Sequence, residues 1–154
     1  MMTRHAFGLL LAVFCPLAFA AGPETSIATA AAKYFPKVSW RRDSVLSGDF
    51  SCRGRKEWAI LGTDAPSIVV AVFLNGTDKK PEVLGLDTRA GSWVPALAKL
   101  FLEDLDYDPR VTGDPLPGFR RSKTCKGLRM DTGQVDPANI YWDHDSHRFT
   151  YWSY

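Results

Sequence analysis

The chain has 154 residues, 45% of them hydrophobic and 23% charged, with a formal net charge of +2 and three cysteines. Such a length and composition fit one folded domain behind a short leader and exclude a disordered or repeat-built chain. A charge this close to neutral excludes nucleic-acid binding by bulk charge, so any anionic partner has to be recognised by a local cluster.

The first twenty residues read as an export signal. Arg4 and His5 precede the apolar run Phe7 to Phe14, and Ala18-Phe19-Ala20 places small residues at −3 and −1 of a cleavage site ahead of Ala21-Gly22. Cys15-Pro16 interrupts the apolar run before it reaches the roughly 18–20 residues a membrane span needs. Val13-Phe14 are also too large for the site that precedes a lipidated cysteine. The expected product is a released domain, 21–154, in the periplasm or outside the cell, cut after Ala20. Cleavage removes Cys15 and leaves Cys52 and Cys125 in an oxidising compartment, where they are predicted to form one disulfide.

Within the domain, Ile27, Ala30, Ala31 and Tyr34 recur at helical spacing in an alanine-rich segment that stops at Pro36, which predicts a helix over 25–35. Three short apolar stretches follow, 45–50, 57–61 and 67–74, separated by glycine, proline and aspartate, and they read as strands. Ser67 to Leu74 has no polar alternation after its first residue, so both its faces are expected to be covered, as in a central strand. Asn75-Gly76 opens a turn and 83–86 returns as the hairpin partner. Val94, Leu97, Leu100 and Phe101 follow helical spacing with Ser92 as a cap and Pro95 in the first turn, predicting a second helix over 92–105. Residues 106–119, with three prolines and two glycines, read as a long loop. Stretches 127–130, 139–143 and 148–153 are strands, the last two joined through His144 to His147. The fold class expected is α+β: an antiparallel sheet of about six strands, an N-terminal helix, a second helix and one disulfide.

Few residues point to chemistry. His144 and His147 with Asp143 and Asp145 have ligand types, but they fill a four-residue hairpin loop with no further anchor, so a polar turn is expected rather than a metal site. Glu103, Asp104, Asp106 and Asp108 alternate like a calcium loop, yet Pro109 and Pro115 stand where that loop needs glycine and glutamate. No nucleophile motif is present and both remaining cysteines are consumed by the disulfide, so no catalytic residue, cofactor or metal is expected. Six aromatics, Tyr141, Trp142, Phe149, Tyr151, Trp152 and Tyr154, crowd the C-terminal hairpin. Strand alternation sets Trp152 and Tyr154 opposite Phe149 and Tyr151, either as a binding platform or, the preferred expectation, as a surface covered by the N-terminal helix.

The basic residues cluster around the cysteines: Arg53, Arg55 and Lys56 flank Cys52, and Arg120, Arg121, Lys123, Lys126 and Arg129 flank Cys125. A disulfide would bring the two groups within about 7 Å of each other through their Cα atoms and make one surface. The expected activity is therefore binding, without catalysis, of an anionic or polymeric cell-envelope component or an acidic protein. The alternative is a hydrolase acting on envelope polymers.

One stretch carries a family resemblance. Gly48-Asp49-Phe50-Ser51-Cys52-Arg53-Gly54-Arg55-Lys56-Glu57-Trp58-Ala59-Ile60-Leu61-Gly62 resembles the FG-GAP or VCBS-type repeat, a strand, an acidic loop and a strand. In that family the loop is similar to a calcium site, and Asp49, Gly54 and Glu57 match its first acid, turn glycine and last acid. Arg53 replaces the middle acid and Cys52 the neighbouring glycine. The resemblance thus implies a strand–loop–strand in which the Arg53 guanidinium bridges Asp49 and Glu57 in place of a cation, with the disulfide supplying rigidity.

Overall fold

The structure is a computed structural model that describes residues 22–88, 93–106, 108 and 115–153. Residues 1–21, which include the expected leader, 89–92 with the expected cap Ser92, 107, 109–114 and Tyr154 lie outside the described residues. Among the described residues one α-helix and nine strands follow in chain order: α1 (Pro23–Tyr34), β1 (Ser39–Trp40), β2 (Leu46–Gly48), β3 (Glu57–Asp64), β4 (Ser67–Phe73), β5 (Glu82–Leu86), β6 (Lys99–Asp104), β7 (Lys126–Asp131), β8 (Ala138–Asp143) and β9 (Arg148–Trp152). All strand pairs are antiparallel, and they divide into two sheets. The first runs β1–β3–β4–β5 with β2 also on β3, and the second runs β6–β7–β8–β9. The chain is α+β, but the six-strand single sheet expected from sequence is replaced by nine strands in two sheets.

Period-two alternation decides what each face buries. From the first sheet Ala59, Leu61, Ile68, Val70 and Val72 point inward, and from the second Leu100, Leu128, Met130, Ile140 and Phe149 meet them in one buried core closed by Phe50 and Trp93. The opposite side of β3 and β4 carries Ile60, Ala71 and Phe73, which Ile27, Ala28 and Ala31 of α1 cover in a second core. Hence β4 is apolar throughout: it lies between β3 and β5 with both faces covered, as its sequence predicts. Pro23 supplies the preset φ of a first helical turn, Glu24 and Lys33 match the helix dipole, and Pro36 ends the helix by restricting Phe35.

The second predicted helix does not form. Pro95–Leu97 make one 3₁₀ turn and Lys99–Asp104 continue as β6, paired residue by residue with β7 from Lys99↔Asp131 to Asp104↔Lys126. The helical spacing of Val94, Leu97, Leu100 and Phe101 is a coincidence of an edge strand that carries apolar residues on both sides. Among the described residues, no helix is long and apolar enough to cross a membrane.

Candidate functional site

The loop between β2 and β3 is built around a carboxylate. Gly48↔Glu57 is the last pair of that ladder, and strand alternation aims the Glu57 side chain inward, where it is fully buried. A charge in that position needs complete hydrogen bonding and a counter-ion. It has both. Glu57 Oε2 accepts the backbone N–H groups of Phe50 and Ser51, each at 2.9 Å. Oε1 accepts the Ser51 hydroxyl at 2.5 Å and Arg53 Nη2 at 3.0 Å. The same guanidinium donates from Nε to Ser51 Oγ at 2.7 Å and from Nη2 to the Leu74 carbonyl at 3.2 Å, so it ties the loop to the end of β4.

Asp49 does a separate task. Its Oδ1 accepts Arg53 N–H at 2.9 Å and its Oδ2 accepts Gly54 N–H at 2.8 Å, closing the turn in which Gly54 takes a φ of +68°. The sequence-derived bridge is therefore half right: Arg53 reaches Glu57, but Asp49 binds the backbone of Arg53 rather than its guanidinium. The amides of Arg53 and Gly54 take both Asp49 oxygens, and the guanidinium is committed to Ser51, Glu57 and the Leu74 carbonyl.

Two links fasten this loop to the second sheet. Cys52, itself in a left-handed conformation with φ 57°, is bonded to Cys125, and their Cα atoms are 5.2 Å apart. Next to it, Lys126 N–H donates to the Asp49 carbonyl at 3.1 Å, so the first residue of β7 hydrogen-bonds the loop. The predicted disulfide is present, and it sets the 53–56 group beside the 120–126 group.

The eight basic residues then divide by partner. Arg53 is paired with Glu57, Arg121 with Asp106 at 2.6 Å, Lys126 with Asp104 and Arg129 with Asp131 at 3.4 Å. Arg55, Lys56, Arg120 and Lys123 are exposed, and among the described residues none of the four is within ion-pair distance of a carboxylate. The Lys56 ammonium lies 4.4 Å from the centre of the Trp58 ring, a contact that orients it without neutralising it. Arg120 stands toward the β8–β9 hairpin and, after burial as the larger cause, helps hold the His144 imidazole below its usual pKa.

The C-terminal aromatics are split between the two faces of the second sheet. Phe149 joins the inter-sheet core and Tyr151 meets Trp93 edge-on at 5.8 Å, while Trp152 lies on the outer face, partly buried against the cluster of Leu105, Cys125 and Tyr141. The expected cover by the N-terminal helix is corrected: α1 sits on the other sheet, and Leu116 and Phe119 pack over Tyr141 instead. Trp152 therefore flanks the disulfide on a cluster that also includes Cys52. Tyr154 lies outside the described residues.

The His144 to His147 loop is a turn organised by Asp143, which sequence reasoning treated only as a flanking ligand type. Oδ1 accepts the N–H groups of Asp145 at 2.8 Å and Ser146 at 3.1 Å, and Oδ2 accepts the Ser146 hydroxyl at 2.5 Å. Those bonds, led by the hydroxyl, hold its carboxyl below the usual range. Gly118 runs close behind, where a Cβ would come within 1.7 Å of Asp143 Oδ1. The Asp-x-x-Ser spacing was the available signal. Among the described residues, no three His, Cys, Asp or Glu side chains gather into a group that could hold a metal ion. Compared with protein-family models, with curated proteins and with solved structures, the chain finds no match.

Proposed function

We propose that this is an exported, non-enzymatic binding protein whose cationic surface at the Cys52–Cys125 bond engages an anionic polymer or surface of the cell envelope. The observation that carries the reading is the 5.2 Å approach of the two cysteine Cα atoms, which sets the Cys52 loop, with Arg55 and Lys56, against the segment that bears Lys123 and Arg120. The loop's own acids offset them only in part, since Arg55 and Lys56 outnumber Asp49, the one acid of the loop without a paired cation. Glu57 is buried and neutralised by Arg53, and Asp49 is spent on two backbone amides. Partly buried Trp152 packs beside the same bond. The strand–loop–strand of the FG-GAP resemblance serves here as the mount for that surface, with Arg53 as its internal cation.

The test is binding of lipopolysaccharide micelles and of isolated peptidoglycan, followed by fluorescence across a range of salt. The expected result is affinity that falls as salt rises, because exposed charges are screened within about 8 Å at physiological ionic strength. Replacing Arg55, Lys56, Arg120 and Lys123 together by glutamine should weaken binding by at least tenfold while the fold is retained. Binding that ignores both salt and the four substitutions would overturn the proposal.

A further inference from the structure

A second surface lies on β6. Among the described residues this strand is hydrogen-bonded to β7 alone and forms the margin of the second sheet. It is also where apolar side chains stand in water: Phe101 is 40% exposed and Leu102 46%, and just before the strand Leu97 is 44% and Val94 40% exposed. An open strand edge with apolar side chains is a template for a further strand.

The sequence of β6 specifies which strand. Lys99-Leu100-Phe101-Leu102-Glu103 is symmetric about Phe101 in its apolar residues and antisymmetric in its charges. Laid antiparallel on a copy of itself about a two-fold axis at Phe101, it sets Phe101 against Phe101, Leu100 against Leu102 and Lys99 against Glu103, the last two pairings each occurring twice. Directly opposed residues in such a ladder share a face with Cβ atoms about 4.5–5.5 Å apart. The faces agree with the fold: Lys99, Phe101 and Glu103 are on the outer side of the sheet, and Leu100 and Leu102 are on the core side. A slip of one residue would oppose Leu100 to Phe101 and turn the core face of the second sheet outward. A slip of two residues in either direction removes both charge pairs.

We propose that the protein self-associates through β6, two copies joining their four-stranded sheets into one continuous sheet of eight about a two-fold axis. The occupant is a second copy because Lys99 and Glu103, opposite in sign and equidistant from Phe101, complement each other across a two-fold axis and not in the slipped registers. In one copy Glu103 is half-buried, and that burial, with Asp104, raises its carboxyl above the usual range while Arg129 opposes the rise. Lys99 of the second copy supplies a further counter-charge. The outer surface of the joint continues the row in which Arg129 lies 5.3 Å from the Phe101 ring.

Sedimentation of the purified, oxidised protein over a wide concentration range tests this. The mass of the unmodified chain should rise toward twice the monomer. Lys99→Glu and Glu103→Lys should each weaken association about tenfold, since each turns two attractive pairs repulsive. The double variant Lys99→Glu/Glu103→Lys restores both pairs with reversed signs and should return to within about twofold of the original. Phe101→Cys should form a covalent dimer on oxidation, because the two-fold register brings the two positions within bonding range. A chain that stays monomeric throughout, a double variant no better than the singles, or a Phe101→Cys chain that does not cross-link would each overturn the inference. Rescue by the double variant separates a lost interface from a damaged fold.

Discussion

Two loops of this molecule are organised in the same way and finished differently. In the β2–β3 loop Glu57 accepts two backbone N–H groups and a serine hydroxyl; in the β8–β9 loop Asp143 accepts the same set of three donors. Glu57 projects into the core at no exposure at all and takes Arg53 as a counter-ion, and a covalent bond anchors its loop. Asp143 sits at the margin of the outer face, 7% exposed, and the hydrogen bonds come first among the causes that lower its pKa. At Asp143 the hydrogen bonds carry the charge, with Arg148 as the least of the causes, whereas Glu57, wholly enclosed, also holds a cation in direct contact. The consequence for function is that the deeper loop internalises the charge of Glu57 and leaves Arg55 and Lys56 to outnumber Asp49 at its surface.

That contrast can be broken in stages. The largest effect expected is from Glu57→Leu, which strands two amides, a hydroxyl and a guanidinium that is about one-third exposed; unfolding in urea should show a loss of about 3–5 kcal/mol. Next is reduction of the disulfide, or Cys52→Ser/Cys125→Ser. It releases a loop of 73 residues' separation and should cost about 2–4 kcal/mol, while the Glu57 network keeps the loop's local form. A free-thiol assay that finds both cysteines unpaired in protein purified without reductant would remove this term altogether. Asp143→Ala should lower the melting temperature by less than either, with the change confined to the hairpin in hydrogen exchange.

The smallest effect is on pH. Because Asp143 is held below its ordinary pKa, its contribution is complete above the unfolded carboxylate value of about 4 and is lost as pH falls through the lower folded value. Urea midpoints of the natural chain and Asp143→Asn should therefore converge as pH drops below about 4. A gap that stays constant from pH 5 to pH 2 would show that the carboxylate is not what holds the turn.

Much of this arrangement was legible in the residues. The alanine-rich helix ended by Pro36, the doubly covered strand 67–73, the C-terminal hairpin and the Cys52–Cys125 bond all follow from local pattern or from counting. What was illegible is tertiary. Nothing in the spacing of Leu100, Phe101 and Leu102 separates a helix from an edge strand with apolar residues on both sides, and β1, with two residues, leaves no periodic signal. Nor does a strand's sequence say which sheet it joins, so α1 was placed over the wrong aromatics: it covers Ile60, Ala71 and Phe73 instead of the C-terminal hairpin. In the loop, the acids and the arginine at 49, 53 and 57 were recognisable. The preference of Asp49 for the amides of Arg53 and Gly54 depended on the left-handed turn at Cys52 and Gly54, which no residue count reveals.

The central claim is that Arg53 acts as the internal cation of a loop built on Glu57. The measurement that addresses it most directly is a double-mutant cycle in urea with Glu57→Leu, Arg53→Met and the two together. The account predicts strong coupling, with the double variant about 2 kcal/mol or more better than the sum of the single losses, because the apolar pair leaves no charge behind. Losses that simply add would contradict it and would make Arg53 one more surface arginine.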